Sequence, residues 1–263
     1  MRILVTGAGS GIGRATAAVL TSAGHEVIAT ARDAQALAGL NVAQPLPLDV
    51  TDAGSVPSCI AACGPIDALV NNAAINAHGA LETYPIDTAR ACLETNTLGA
   101  LRMIQAVLPG MRERRSGVIV NVSSVEGRIA TPFGGLYAAS KFALEAISES
   151  LHYEVGHFGI RVVIVEPGYT APGMKQRVRP DENDEVYAGL REQWAGADQL
   201  LVGTSGRPPP EGVSEAILRA IEDPATPLRV PAGKDSELSL GLRRELDDAG
   251  FEAVMRQTLG ITW

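Results

Sequence analysis

Aromatic residues are scarce, at 4% of 263 positions, and cysteine occurs only at positions 59, 63 and 92. So few cysteines, and an odd number, exclude a disulfide framework in a chain this long. Cys59 and Cys63 stand four apart on a predicted helix, with no second His or Cys pair to complete a metal site. Buried, reduced thiols and no metal are expected. The four histidines, at 25, 78, 152 and 157, show no ligand spacing either. Basic charge is also short: 22 Lys and Arg face 30 Asp and Glu, a net charge of −8. A surface evolved for nucleic acid or anionic lipid carries the opposite sign. No apolar run approaches the ~18 residues of a spanning helix. A strand-like Ile3–Val5 follows Met1 at once, leaving no room for a leader, so a cytoplasmic protein with neither nucleic-acid nor membrane partners is expected. There is no internal repeat and no low-complexity tract.

What the chain does have is alternation of strand and helix. Arg2–Thr6, Val27–Ala31, Leu46–Asp49, Ala68–Asn71, Val118–Val122, Arg161–Val165 and Leu228–Pro231 read as strands. Gly11–Ala23, Ile86–Met111 (broken near Pro109 or Gly110), Leu136–His157 and a final Glu211–Glu222 read as helices. The strands are continuous Val/Ile/Leu runs, the pattern of strands covered on both faces. The prediction is α/β: one doubly wound parallel sheet of Rossmann type with helices on both faces, a single domain over 1–263. Gly and Pro punctuate about 169–210, which reads as a lid over the substrate.

Thr6-Gly7-Ala8-Gly9-Ser10-Gly11-Ile12-Gly13 lies between the first strand and the first helix. Glycines there allow a tight turn and close approach of backbone to a pyrophosphate, and the helix N-terminus supplies N–H donors. The second strand ends Ala29-Thr30-Ala31-Arg32. A site for the unphosphorylated ribose usually places an acid there, whereas an Arg forks onto a 2′-phosphate. NADP is therefore preferred over NAD, although Asp33 could fold back on Arg32.

Tyr137 and Lys141 are four apart on a helix and so share a face. A nearby ammonium favours the phenolate and lowers a phenol's pKa from its usual ~10. Ser124 follows the strand Val118–Val122, at the carboxyl edge where open α/β sheets bind ligands. Asn96 falls inside a helical stretch where Asn is a poor fit, which suggests an irregular turn or a water-holding role. Tyr169 and Met174 are pocket candidates, and Trp194 and Tyr187 either line the pocket or anchor the lid.

Taken together, these features resemble the short-chain dehydrogenase/reductase family in its compact form. The resemblance rests on Thr6–Gly13, Asp49-Val50, Asn71-Asn72-Ala73, Asn96, Ser124, Tyr137-x-x-x-Lys141 and Pro167-Gly168. It implies a catalytic set of Asn96, Ser124, Tyr137 and Lys141. Tyr137 would exchange the proton, Lys141 would lower its pKa and hold the nicotinamide ribose, Ser124 would orient the carbonyl, and Asn96 would hold a relay water. It further implies cofactor contacts at Asp49 and Val50 for the adenine, and at Asn72, Ala73, Ala74, Pro167, Gly168 and Thr170. The chain departs from the family in three places: Ala74 replaces a common Gly, Ser10 replaces a basic residue of many NADP users, and the usual Thr region reads Tyr169-Thr170-Ala171-Pro172.

The implied activity is hydride transfer between a nicotinamide cofactor and a ketone or secondary alcohol. Texture akin to steroid and retinol dehydrogenases favours an apolar small-molecule substrate. An inactive nucleotide-sensing scaffold is the alternative, one expected to lack part of the catalytic set, all of which is present. A sugar-nucleotide epimerase is usually longer, with a different glycine spacing. The outer side of the long helix carries Ala139, Phe142, Ala143, Ala146 and Tyr153. An apolar outer face predicts a homodimer or homotetramer.

Overall fold

The computed structural model describes residues 1–174, 185–202 and 206–261. Seven parallel strands form one sheet: β1 (Arg2–Val5), β2 (Glu26–Ala31), β3 (Gln44–Pro47), β4 (Ala68–Asn71), β5 (Gly117–Val122), β6 (Ile160–Pro167) and β7 (Arg229–Ala232). Their order is β3-β2-β1-β4-β5-β6-β7. The chain reverses direction of travel across the sheet between β1 and β4, the place where such sheets open a crevice at their carboxyl ends.

The continuous apolar runs divide between two cores because side chains alternate along a strand. Ile3 and Val5 face one layer and Leu4 the other; Val118, Val120 and Val122 face the first and Ile119 the second. The first layer is closed by α1 (Gly11–Ser22) and α7 (Glu211–Glu222). The second is closed by α2 (Ser55–Cys63), α4 (Gly99–Arg114) and α5 (Gly135–Val155). Burying each of these Val, Leu and Ile side chains contributes about 1.5–3 kcal/mol. Cys59, Cys63 and Cys92 are buried free thiols.

Three elements differ from the sequence reading. The helical stretch from 86 is not broken at Pro109 or Gly110. It comprises α3 (Ile86–Leu93), a π-helical turn at Glu94–Leu98, and α4, which runs through Pro109 and ends where Arg115 turns left-handed at φ 52°. Gln105 and Pro109 are both exposed, so the carbonyl that Pro109 cannot satisfy lies on the water side. β3 sits two residues earlier than expected and holds Pro45 and Pro47, tolerated because it is a sheet edge. Glu211–Glu222 is not the last helix, since α8 (Lys234–Glu245) and α9 (Asp248–Leu259) follow. In α8 only Ser236 and Leu240 are buried, so the segment carried too weak an apolar stripe to read as a helix. The expected lid includes α6 (Ala188–Val202), while its residues 175–184 and 203–205 lie outside the described residues. Among the described residues no helix is long and apolar enough to cross a membrane.

Candidate functional site

A cleft of about 1700 Å³ opens along the carboxyl ends of the strands. That exceeds the usual ~300–1,000 Å³ of a small-ligand pocket, leaving room for a dinucleotide and a second molecule.

At one end the β1–α1 loop forms the wall. Gly7 holds φ +67°, and a Cβ there would stand 2.8 Å from the Ala73 backbone; a Cβ at Gly13 would collide with Asn72 and the Gly7 carbonyl. Larger residues at either position would push the loop off β4. Gly9, Ser10, Gly11 and Ile12 line the same wall. Ser10 caps α1 with extended backbone but makes no side-chain capping bond, and the first turn holds no acid. The positive end of the helix is thus left uncompensated at the cleft. These features suit a pyrophosphate.

Thr6 does not line the cleft. Its Oγ1 accepts from the backbone N–H groups of Asn72 and Ala73, both at 3.0 Å, and the Asn72 amide donates to the Thr6 carbonyl at 2.9 Å. Thr6 is a latch that ties the glycine loop to β4. Asn72, Ala73 and Ala74 line the cleft beside it, as do Asp49 and Val50. Asp49 Oδ1 accepts from Thr51 Oγ1 at 2.7 Å and from its N–H at 2.9 Å, which stiffens that corner. Arg32 is exposed and lines the cleft. Asp33 does not fold back on it: the carboxylate caps its own short turn by accepting from Gln35 N–H at 2.9 Å. Among the described residues no ion pair involves Arg32, which leaves its guanidinium available for an anion.

At the other end Tyr137 and Lys141 are side by side on the inner face of α5, 8% and 3% exposed. Leu144, Ser148, Leu151 and Val155 continue this buried face. Lys141 Nζ donates to the Val122 carbonyl at 2.8 Å and lies 5.7 Å from the Tyr137 ring centroid. Burial lowers the Lys141 ammonium to about 8. The expected lowering of the phenol by Lys141 does not prevail. Burial pushes the Tyr137 phenol well above its ordinary value and the charge of Glu126 adds to the rise, while a hydrogen bond from Ser124 offsets part of it. Ser124 is fixed in turn by accepting from Glu126 N–H at 3.1 Å.

Asn96 is 1% exposed and lies behind the cleft instead of lining it. Its Oδ1 accepts from Ile75 N–H at 2.8 Å; its Nδ2 donates to the Ile75 carbonyl at 3.0 Å and to Ser140 Oγ at 2.9 Å. Ser140 Oγ donates to the Tyr137 carbonyl at 2.7 Å. The irregular turn expected at Asn96 is this π-helical segment, and its amide links the β4 loop to the turn of α5 that carries Tyr137 and Lys141.

Pro167, Gly168, Thr170, Tyr169 and Met174 line the lid side of the cleft. The choice left open for the two lid aromatics falls differently for each. Trp194 lines the cleft, whereas Tyr187 donates to Glu82 Oε2 at 2.6 Å and packs edge-on against Phe133. Among the cleft residues not singled out from the sequence are His78 and Glu126. His78 packs against Tyr137, with ring centroids 5.8 Å apart, and Glu126 Oε2 lies 3.4 Å from His78 Nε2. Only the closeness of Glu126 to Ser124 hinted at either.

Comparison with known proteins agrees with this architecture. The short chain dehydrogenase family model matches residues 1–183. The chain is 42% identical over 197 residues to a 3-ketodihydrosphingosine reductase of Bacteroides thetaiotaomicron, covering 73% of this chain and 71% of that one. It is 35% identical over 248 residues to human retinol dehydrogenase 8, covering 86% and 79%. Among solved structures, a short-chain dehydrogenase from Streptomyces avermitilis superposes with a TM-score of 0.79 at 35% identity, covering 97% of both chains. A gluconate 5-dehydrogenase from Burkholderia cenocepacia, in complex with NADP and tartrate, superposes with a TM-score of 0.73 at 26% identity, covering 90% and 95%.

Proposed function

The chain belongs to the short-chain dehydrogenase family, a family of nicotinamide-dependent oxidoreductases, and from that premise we propose that it interconverts a ketone and a secondary alcohol with Tyr137 as the acid/base. The observation that carries this reading is the grouping of Ser124, Tyr137 and Lys141 at the carboxyl edge of the sheet, in one cleft with the glycine wall. The cofactor, when bound, supplies the hydride. The glycine wall and the first turn of α1 would hold its pyrophosphate, Asp49 and Val50 its adenine pocket, and Lys141 the ribose next to the reacting ring. NADP is the preferred form, because Arg32 can fork onto a 2′-phosphate and Asp33 is occupied elsewhere.

Ser124 and Tyr137 would grip the substrate's carbonyl oxygen from one side. In reduction the carbonyl carbon gains the hydride and its oxygen takes the proton from Tyr137 Oη; oxidation reverses both transfers. The raised phenol pKa keeps Tyr137 protonated before reduction. Lys141 places its ammonium beside the phenolate as it forms. Phe133, Met174 and Trp194 give the substrate end an apolar lining suited to an alkyl or ring body. The exposed apolar side of α5, where Phe142 is 44% and Tyr153 73% exposed, supports assembly into a homodimer or homotetramer.

Replacing Tyr137 with Phe should cut kcat by roughly 10²–10⁴-fold, the range of a positioned proton donor, and leave nucleotide affinity within a few-fold. Titration calorimetry paired with steady-state kinetics measures both. Turnover retained by Tyr137→Phe overturns the assignment.

A further inference from the structure

The acid/base chemistry of Tyr137 does not account for the carboxylate beside it. Glu126 belongs to the short helical turn Val125–Gly127, directly after Ser124, and its side chain is only 13% exposed. It is a built feature. Thr131 Oγ1 donates to Oε1, and a methyl at Gly134 would collide with that oxygen, so the bare backbone at Gly134 makes room for it. Oε2 lies 3.4 Å from His78 Nε2, longer than the ~2.7–2.9 Å of a strong charged hydrogen bond. A carboxylate oxygen accepts two donors, so Oε2 keeps capacity for another. Glu126 and the one-third-exposed His78 both line the cleft, and the His78 ring packs against Tyr137.

In the reductive direction this acid opposes proton transfer from Tyr137. Reduction leaves negative charge on Tyr137, and a second negative charge nearby raises the cost of that step. A substrate cation seated on the carboxylate would cancel that cost. The cation would gain a charged hydrogen bond as well.

We propose that Glu126, with His78 bracing it, is a specificity site for substrates that carry an ammonium group one or two carbons from the reacting carbonyl. Amino ketones and the matching amino alcohols are that class. The inference rests on the ketone–alcohol reading above and narrows it: the apolar wall takes the chain or ring, and Glu126 takes the amine.

The test is a matched trio: 2-octanone, 1-hydroxy-2-octanone and 1-amino-2-octanone, each assayed for kcat/KM with the wild type and with Glu126→Gln. The wild type should favour the amino ketone over 2-octanone by roughly 10-fold or more, the size of one hydrogen bond to a charged group. In Glu126→Gln that ratio should fall towards one. A ratio compares substrates on one protein preparation, so partial misfolding or weakened nucleotide binding cancels out of it. A wild-type ratio near one overturns the proposal, as does a ratio that survives the substitution. So does an equal preference for the hydroxy ketone, which would mean an uncharged contact. Octanone turnover without amine preference defeats this inference alone, whereas no turnover of any of the three defeats the underlying reading with it.

Discussion

Arg32 and Glu166 each turn one local environment into a measurable property. Arg32 faces the cleft with its neighbour's carboxylate tied into a turn. Arg32→Leu should lower the preference for NADPH over NADH by roughly 10–100-fold, the worth of a charged fork, with little effect on activity with NADH. Kinetics with both nucleotides read this directly, and an unchanged ratio removes Arg32 from the cofactor site. Glu166, 2% exposed on β6, is pushed up to about 7, chiefly by burial and then by the charge of Glu145. In the unfolded chain it ionises near its ordinary 4.5. Between those two values the native state keeps a proton that the unfolded state releases, so stability falls as pH rises through this window. The loss is on the order of 3 kcal/mol and is complete above about pH 7. Glu166→Gln should flatten that slope in urea titrations run from pH 5 to 8; parallel slopes in the two proteins would contradict it. Neither effect could be read from the residue alone. What leaves Arg32 open to an anion is the direction in which Asp33 turns, and nothing in the run Val165-Glu166-Pro167 signals a second buried acid from α5.

The π-helical turn at Glu94–Leu98 shows what one element contributes. A straight α-helix would carry Asn96 past Ile75, whereas the wider turn lets the amide pair with both Ile75 backbone groups and with Ser140. Thr97 Oγ1 donates to the Ser140 carbonyl at 2.9 Å, a second tie to α5. Asn96→Ala leaves the buried Ile75 N–H and C=O unpaired and should cost about 2–4 kcal/mol in denaturant unfolding. Turnover should fall further than nucleotide affinity, because the tie ends at the turn that bears Tyr137. Equal stability of variant and wild type would reject this role. An Asn in a helical stretch did signal irregularity, but the partners at Ile75 and Ser140 are set by tertiary packing. The same limit explains His78 and Glu126, which lie 48 positions apart in sequence and meet only because β4 and β5 are neighbours. Elements with strong apolar periodicity were legible. The polar α8 was not, and Pro109 misled because its cost depends on which side of the helix faces water.

Across the whole molecule, the sheet order and its crevice follow from features readable along the chain. Continuous apolar strands demanded cover on both faces, and short β–α connections put their loops at one edge. The glycine loop, Ser124 and the Tyr137–Lys141 pair of α5 converge there from three separate stretches. The outer side of α5 is the complementary feature: Ala139, Phe142, Ala146 and Tyr153 are exposed on it. Light scattering should give at least twice the chain mass for the wild type, and Phe142→Glu should shift the population towards monomer. A monomeric wild type would contradict that assembly.

On the proposed reading, this cleft passes a hydride between a nicotinamide and a carbonyl carbon while Tyr137 handles the proton. The most direct measurement of that transfer uses NADPH deuterated at the transferable position of the ring, a ketone panel and mass spectrometry of the alcohol product. The wild type should place one deuterium on the carbinol carbon, and Tyr137→Phe should yield almost no alcohol. Alcohol lacking the label, or label incorporated equally by the Phe variant, would contradict that reading.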